Sequence, residues 1–159
     1  MKTYQEINYK KEAREKIKKG LDKVANAVKI TLGPGGRNVV LAHENYQIFT
    51  KDGVTVAEAI TLEDKYENVG AEAVKEAAEK TNSVGGDGTT VTSCLVQSMV
   101  EKGFSAIDSG ASPTLLRAGI SKAVEFVCNF LDKIAIPVKG YKMIHGVASI
   151  SANDEEMGK

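Results

Sequence analysis

The strongest constraint on this chain is the way glycine and proline cut its long helical periods. From residue 10 to 32, Ala13, Ile17, Leu21, Val24 and Val28 recur at steps of three and four, the spacing that lines one helix face. GPGG at 33–36 must stop that helix, because proline breaks the hydrogen-bond ladder and glycine frees the backbone. Residues 64–82 repeat the pattern, with Tyr66, Val69, Gly70, Ala73 and Ala77 on one stripe. In residues 89–108, Val91, Leu95, Val96, Met99, Val100, Phe104 and Ile107 leave almost no polar face, which predicts a helix central to its domain. DSGASP then supplies a glycine stop, a cap at Ser112 and Pro113 at the first helical position. A fourth helix is predicted over 113–135, with Leu116, Ile120, Ala123, Val127, Leu131 and Ile134 inward, and Pro137 ends it.

Shorter pieces fill the gaps. NVVLA (38–42) and QIFT (47–50) are β-branched or apolar and flank HENY, which reads as a small hairpin. KDG (51–53) is a turn, and VTVAEAI opens a short helix. After a VKG joint, YKMIHGVASIS forms a shorter amphipathic piece. In the final ASISANDEEMGK, Asn153 or Asp154 would cap a new helix, with Glu155 and Glu156 suiting its dipole. The predicted fold is mainly α: a bundle of long helices with a small β-hairpin, reading as the front part of something longer.

The 159 residues suffice for one domain with a sizeable core. Charged residues make up 26% and balance to zero, so nothing draws the whole chain toward nucleic acid or membrane. The first 29 residues are basic and residues 54–80 lean acidic, but both runs alternate with apolar positions and read as solvated helix faces. Cys94 and Cys128 stand singly, without C-x-x-C, which argues against zinc and for buried thiols in a reducing compartment. His43 and His145 have no partner motif. No apolar run approaches ~18 residues, and the N-terminus lacks a signal core. The expected location is cytoplasmic.

Chemistry concentrates in the loops. GGDGTTVTS (85–93) sits directly before the most apolar helix. Its glycines let backbone N–H groups face a common concavity, the helix start adds a positive dipole end, and Thr89 and Thr90 add hydroxyls. A phosphate would suit such a place. Asp87 would repel a bare phosphate but suits one bridged by Mg²⁺, which takes one or two carboxylates plus phosphate oxygens. The alternative is a plain helix–helix corner, since a glycine stop followed by an Asp or Thr cap is ordinary, and no P-loop pattern is present. TLGPGG (31–36) offers further backbone groups. In KDG, Lys51 could neutralise phosphate charge and Asp52 could hold a water or second cation. Each of these also reads as a simple stop or turn.

TLGPGGRNVVL, TKDGVTVA, LEDKYENVGAEAVKEAA, GGDGTTVTSCL and ISANDE occur in that order. Together they resemble the N-terminal part of a group I chaperonin of the GroEL type, from about residue 10 to 159. The resemblance implies an incomplete chaperonin equatorial domain over residues 1–136 and the start of the intermediate domain over 137–159. It implies an ATP-dependent chaperone subunit or fragment, in a ring that drives protein folding. Thr31, Leu32, Gly33 and Pro34 would touch nucleotide. Asp87, Gly88, Thr89, Thr90 and Val91 would wrap the phosphates, with Asp87 on Mg²⁺. Lys51 would lie near the terminal phosphate and Asp52 would be catalytic. The family adds K⁺ as a further ion. The partners implied are other chaperonin subunits, in a homo-oligomer, while non-native polypeptides would be met only through regions this sequence does not contain.

The sequence departs from the family pattern in places. Gly35 stands where the family usually has lysine, Val91 replaces a frequent threonine, and the hairpin AHENYQIF is shortened. The family's later catalytic aspartate lies beyond this sequence, which places hydrolysis by the chain alone in doubt. The alternative expectation is a non-enzymatic assembly or interaction protein derived from a chaperonin, without working hydrolysis.

Overall fold

The computed structural model describes residues 10–42, 45–152 and 154–159. In chain order the elements are α1 (Lys10–Lys29), β1 (Val39–Ala42), β2 (Gln47–Thr50), α2 (Gly53–Glu58), α3 (Lys65–Gly85), α4 (Thr89–Asp108), α5 (Pro113–Ile134) and α6 (Tyr141–Ala152). The fold is mainly helical with one small hairpin, as the periodicity predicts. The chain divides into two compact units, Met1–Gly110 and Ala111–Lys159.

In the first unit, α1 packs on α3 and α4, and α2 contacts all three. Leu21, Val24 and Val28 of α1 join Val56, Ala57, Ala71 and Val74 in one buried cluster. Burying each Leu or Val contributes roughly 1.5–3 kcal/mol. The α1–α3 crossing is unusually close. A methyl group at Gly20 would overlap the Glu67 backbone, and one at Gly70 would overlap the backbone of Ile17. Lys19 and Lys23 then reach the two oxygens of Glu67, each at 2.5 Å. Asp64 caps α3 by accepting from the amides of Tyr66 (2.8 Å) and Glu67 (3.1 Å).

The hairpin pairs antiparallel, with Val39 opposite Thr50 and Ala42 opposite Gln47. Residues 43 and 44 of its connection, His43 among them, lie outside the described residues. So does Asn153. Asp154 accepts from the amides of Glu156 (2.7 Å) and Met157 (3.0 Å), capping a turn where a new helix was expected.

Three inward faces differ from expectation. On α3 the buried residues are Glu67, Gly70, Ala71, Val74 and Ala78, whereas Val69 is 55% exposed. Gly70 belongs to both stripes; the true one is turned slightly, because close approach at Gly70 favours small neighbours over Tyr66 and Val69. On α4 the buried stripe is Thr89, Ser93, Gln97 and Gly103, while Val91, Leu95 and Met99 are exposed. Val96 and Val100 do pack against the core. In the second unit no residue of α5 or α6 is buried. Leu116 and Ile120 are half-buried, and Ala123, Val127, Leu131 and Ile134 are exposed. Periodicity determines which residues share a face, not whether anything covers it. The thiols follow suit: Cys94 is half-buried and Cys128 exposed. No helix among the described residues is long and apolar enough to cross a membrane.

Candidate functional site

The site assembles where α1 ends and α2 and α4 begin. α1 stops in a turn in which the amides of Thr31 and Leu32 bond back to Val28 (3.0 Å) and Lys29 (3.1 Å). Thr31 is buried, and its hydroxyl donates to the Val28 carbonyl at 2.8 Å. Leu32, Gly33 and Pro34 follow on the exposed side of the loop.

Lys51 and Asp52 lead into α2. Lys51 is exposed and enters no ion pair among the described residues. Asp52 caps α2: its Oδ2 accepts from the Thr55 amide (2.9 Å) and the Thr55 hydroxyl (2.6 Å). Burial alone would push the carboxyl up, but the bonds from Thr55 and the Val54 amide outweigh it and hold Asp52 below the usual carboxylate range. It is therefore ionised at neutral pH. Thr55 escaped the sequence reading; the signal was an Asp with Thr three residues later at a helix start.

The third loop joins α3 to α4. Gly86 (φ 69°) ends α3 and Gly88 (φ 89°) begins α4, both in the left-handed region that glycine enters without strain. No side chain caps α4. Its first amides, from Thr89 onward, have no partner within the helix and remain available to an acceptor, at the positive end of the dipole. Asp87 is exposed beside them and, among the described residues, bonds the following Gly88 amide, at 2.6 Å. Thr89 is buried, Thr90 half-buried and Val91 exposed.

Gly53 brings the loops together. A methyl group there would overlap the Thr90 hydroxyl and stand 3.2 Å from Val28 Cγ1 and 3.5 Å from Thr31 Oγ1. Thr31, Gly53 and Thr90 thus share one corner, whereas Leu32, Pro34, Lys51, Asp52 and Asp87 are exposed on the loops that lead to it. An anion fits this corner through the uncapped α4 start. A divalent ion fits as a co-ligand only: no cluster of three or more His, Cys, Asp or Glu able to hold a metal occurs among the described residues. Asp87 offers a single carboxylate, so phosphate oxygens would have to complete the shell. By contrast, the cleft of about 250 Å³ between α2 and α3 carries Glu58, Glu72, Glu76 and Glu79 with only Lys75 against them, the wrong field for a phosphate.

Residues 24–158 match the TCP-1/cpn60 chaperonin family. Among solved structures, the chain is similar to the chaperonin gp146 from the bacteriophage EL 2 (Pseudomonas aeruginosa), in two crystal forms obtained in presence of ATP-BeFx. Identity is 32% in both, with TM-scores of 0.78 and 0.79. The matches cover 93% and 94% of this chain but 26% and 27% of gp146, so the chain spans about a quarter of that relative's length.

Proposed function

This chain belongs to the TCP-1/cpn60 chaperonin family, and from that premise we propose that it is the Mg-ATP-binding front portion of a GroEL-type chaperone subunit. Residues 1–136 would be equatorial and 137–159 the start of an intermediate domain. The observation that carries the reading is the meeting of three phosphate-compatible loops at Gly53, beside a helix start that no side chain caps.

In this reading Asp87, Gly88, Thr89, Thr90 and Val91 hold the phosphates through backbone amides and hydroxyls. Asp87 binds Mg²⁺ jointly with phosphate oxygens, and Lys51 neutralises further charge, with K⁺ as a second ion. Thr31, Leu32, Gly33 and Pro34 border the rest of the nucleotide. Bound Mg²⁺ supplies charge neutralisation on the phosphates. Asp52, ionised and fixed by Thr55, orients a water. Binding, rather than turnover, is the property assigned to this chain alone. Other chaperonin subunits are the proposed partners, in a ring whose client contacts lie elsewhere in the subunit. The presence of ATP-BeFx with gp146 agrees with this reading. Calorimetric titration with Mg-ATP tests it: binding by the parent chain and its loss in Asp87→Ala support the site, and equal binding by both contradicts it.

A second reading is a non-enzymatic assembly module. The exposed apolar face of Val91, Leu95 and Met99 favours it, because such faces drive association. A defined oligomer indifferent to ATP would select it.

A further inference from the structure

The buried contact between α1 and α4 is polar where helix packing is usually apolar. Thr89, Ser93 and Gln97 follow one another at every fourth residue of α4 and are all buried. Ser93 spends its hydroxyl on the Thr89 carbonyl of its own helix, at 3.0 Å. Gln97 instead bonds across to α1 with both ends of its amide. Its Nε2 donates to Asp22 Oδ1 (2.6 Å) and Asn26 Oδ1 (3.2 Å), and its Oε1 accepts from the Lys29 ammonium. Lys18 takes the other oxygen of Asp22 at 2.7 Å.

Asp22, Asn26 and Lys29 line one face of α1, so the Gln97 amide is held at three points along that helix. Apolar contacts such as those of Val96 and Val100 tolerate sliding. A hydrogen-bonded amide does not, since a shift of one residue's rise, about 1.5 Å, would break every bond it makes. Lys29 is the last residue of α1, shortly before Thr31, and Gln97 lies in the helix that begins at Thr89. A link between these two helices therefore sets the separation of the loops they carry. Gly53 leaves no slack between Thr31 and Thr90 to absorb an error.

We propose that Gln97 is a positioning residue for the nucleotide site: through Asp22, Asn26 and Lys29 it locks the register of α4 against α1 and so spaces the first and third loops. The role in binding rests on the nucleotide reading above; the register lock does not.

The pairing has a direction that can be reversed. Asp22→Asn leaves one acceptor oxygen where the Gln97 amide and the Lys18 ammonium each hold one, so the two compete for it, and Gln97→Glu sets carboxylate against carboxylate. Combined, Asn at 22 donates to Glu at 97, which still accepts from Lys29. Hydrogen exchange at the bonded amides of Ile30, Thr31, Leu32, Gly86 and Thr92, without nucleotide, reads the register, and Mg-ATP titration reads the site. Gln97→Met, which keeps the packing volume and loses the bonds, guards against a charge-driven failure to fold.

Each single variant should speed loop exchange about tenfold or more and weaken Mg-ATP binding comparably. Amides around Leu21, Val24 and Val74 should keep their protection, and the double variant should recover both properties. Parent-like loop exchange in Asp22→Asn and Gln97→Met would overturn the lock. So would uniform acceleration through α1, α3 and α4 without recovery in the double variant, which is what a general loss of stability gives. Loop-specific exchange with recovery, in a parent chain that binds no ATP, would uphold the lock and defeat the nucleotide reading instead.

Discussion

Gly53 and Thr90 are in contact: the α2 backbone leaves no room for a methyl group beside the Thr90 hydroxyl. This contact ties the turn containing Lys51 and Asp52 to the start of α4. Gly53→Ala is therefore predicted to overpack the corner, costing about 1–3 kcal/mol and weakening Mg-ATP binding. Gly85→Ala, where nothing lies within 4 Å of an added methyl, should leave binding unchanged and raise stability by up to about 1 kcal/mol. Thermal unfolding and nucleotide titration of the two variants check this.

Among the described residues Asp87 makes no bond beyond the next amide, and it is exposed. Its replacement by Asn should leave stability within about 0.5 kcal/mol of the parent. The Mg²⁺-dependent part of ATP binding should disappear, so titrations with Mg²⁺ and with a chelator should coincide in Asp87→Asn and differ in the parent.

Gly35 has open space around it and no left-handed backbone, so a lysine there meets no steric barrier. Gly35→Lys restores the positive charge that family resemblance leads one to expect beside the first loop. ATP affinity should rise about 2- to 10-fold at low salt and the gain should shrink near 1 M salt, as screening of an exposed charge requires.

Asp22, Asp52, Asp64 and Glu67 all titrate below their ordinary values. Burial opposes the shift at Asp22, where Lys18 and Gln97 outweigh it; backbone amides lead at Asp64, and Lys19 and Lys23 at Glu67. A carboxylate whose folded value is depressed adds stability that is fully present above its unfolded value, near 4, and is lost as pH falls through the folded one. Urea midpoints should therefore be flat from about pH 7 to 5 and fall below about pH 4. Glu67→Gln should lower the midpoint at neutral pH and flatten that acid decline.

Helices, hairpin and loop positions were legible because glycine, proline and apolar period act locally. The α1 stripe of Leu21, Val24 and Val28 reads directly from the sequence and is the core. What stayed hidden is nonlocal. Gln97 sits among apolar residues and scores as the polar side of α4, yet it points inward because Asp22, Asn26 and Lys29 wait on another helix. Val91, Leu95 and Met99 look like core for the same reason reversed. The family's loop residues were visible in the three motifs, but their meeting at Gly53 depends on how α1, α2 and α4 stack, which no single motif encodes. Thr55 was missed because its role is only to hold Asp52.

Native mass spectrometry of the chain in Mg²⁺, with and without ATP, tests the central claim most directly, because it counts subunits and bound nucleotides together. The account predicts one nucleotide on each chain at saturating ATP. A bare chain, or a bare oligomer, under the same conditions would contradict it and leave GGDGTTVTS as only a corner between two helices.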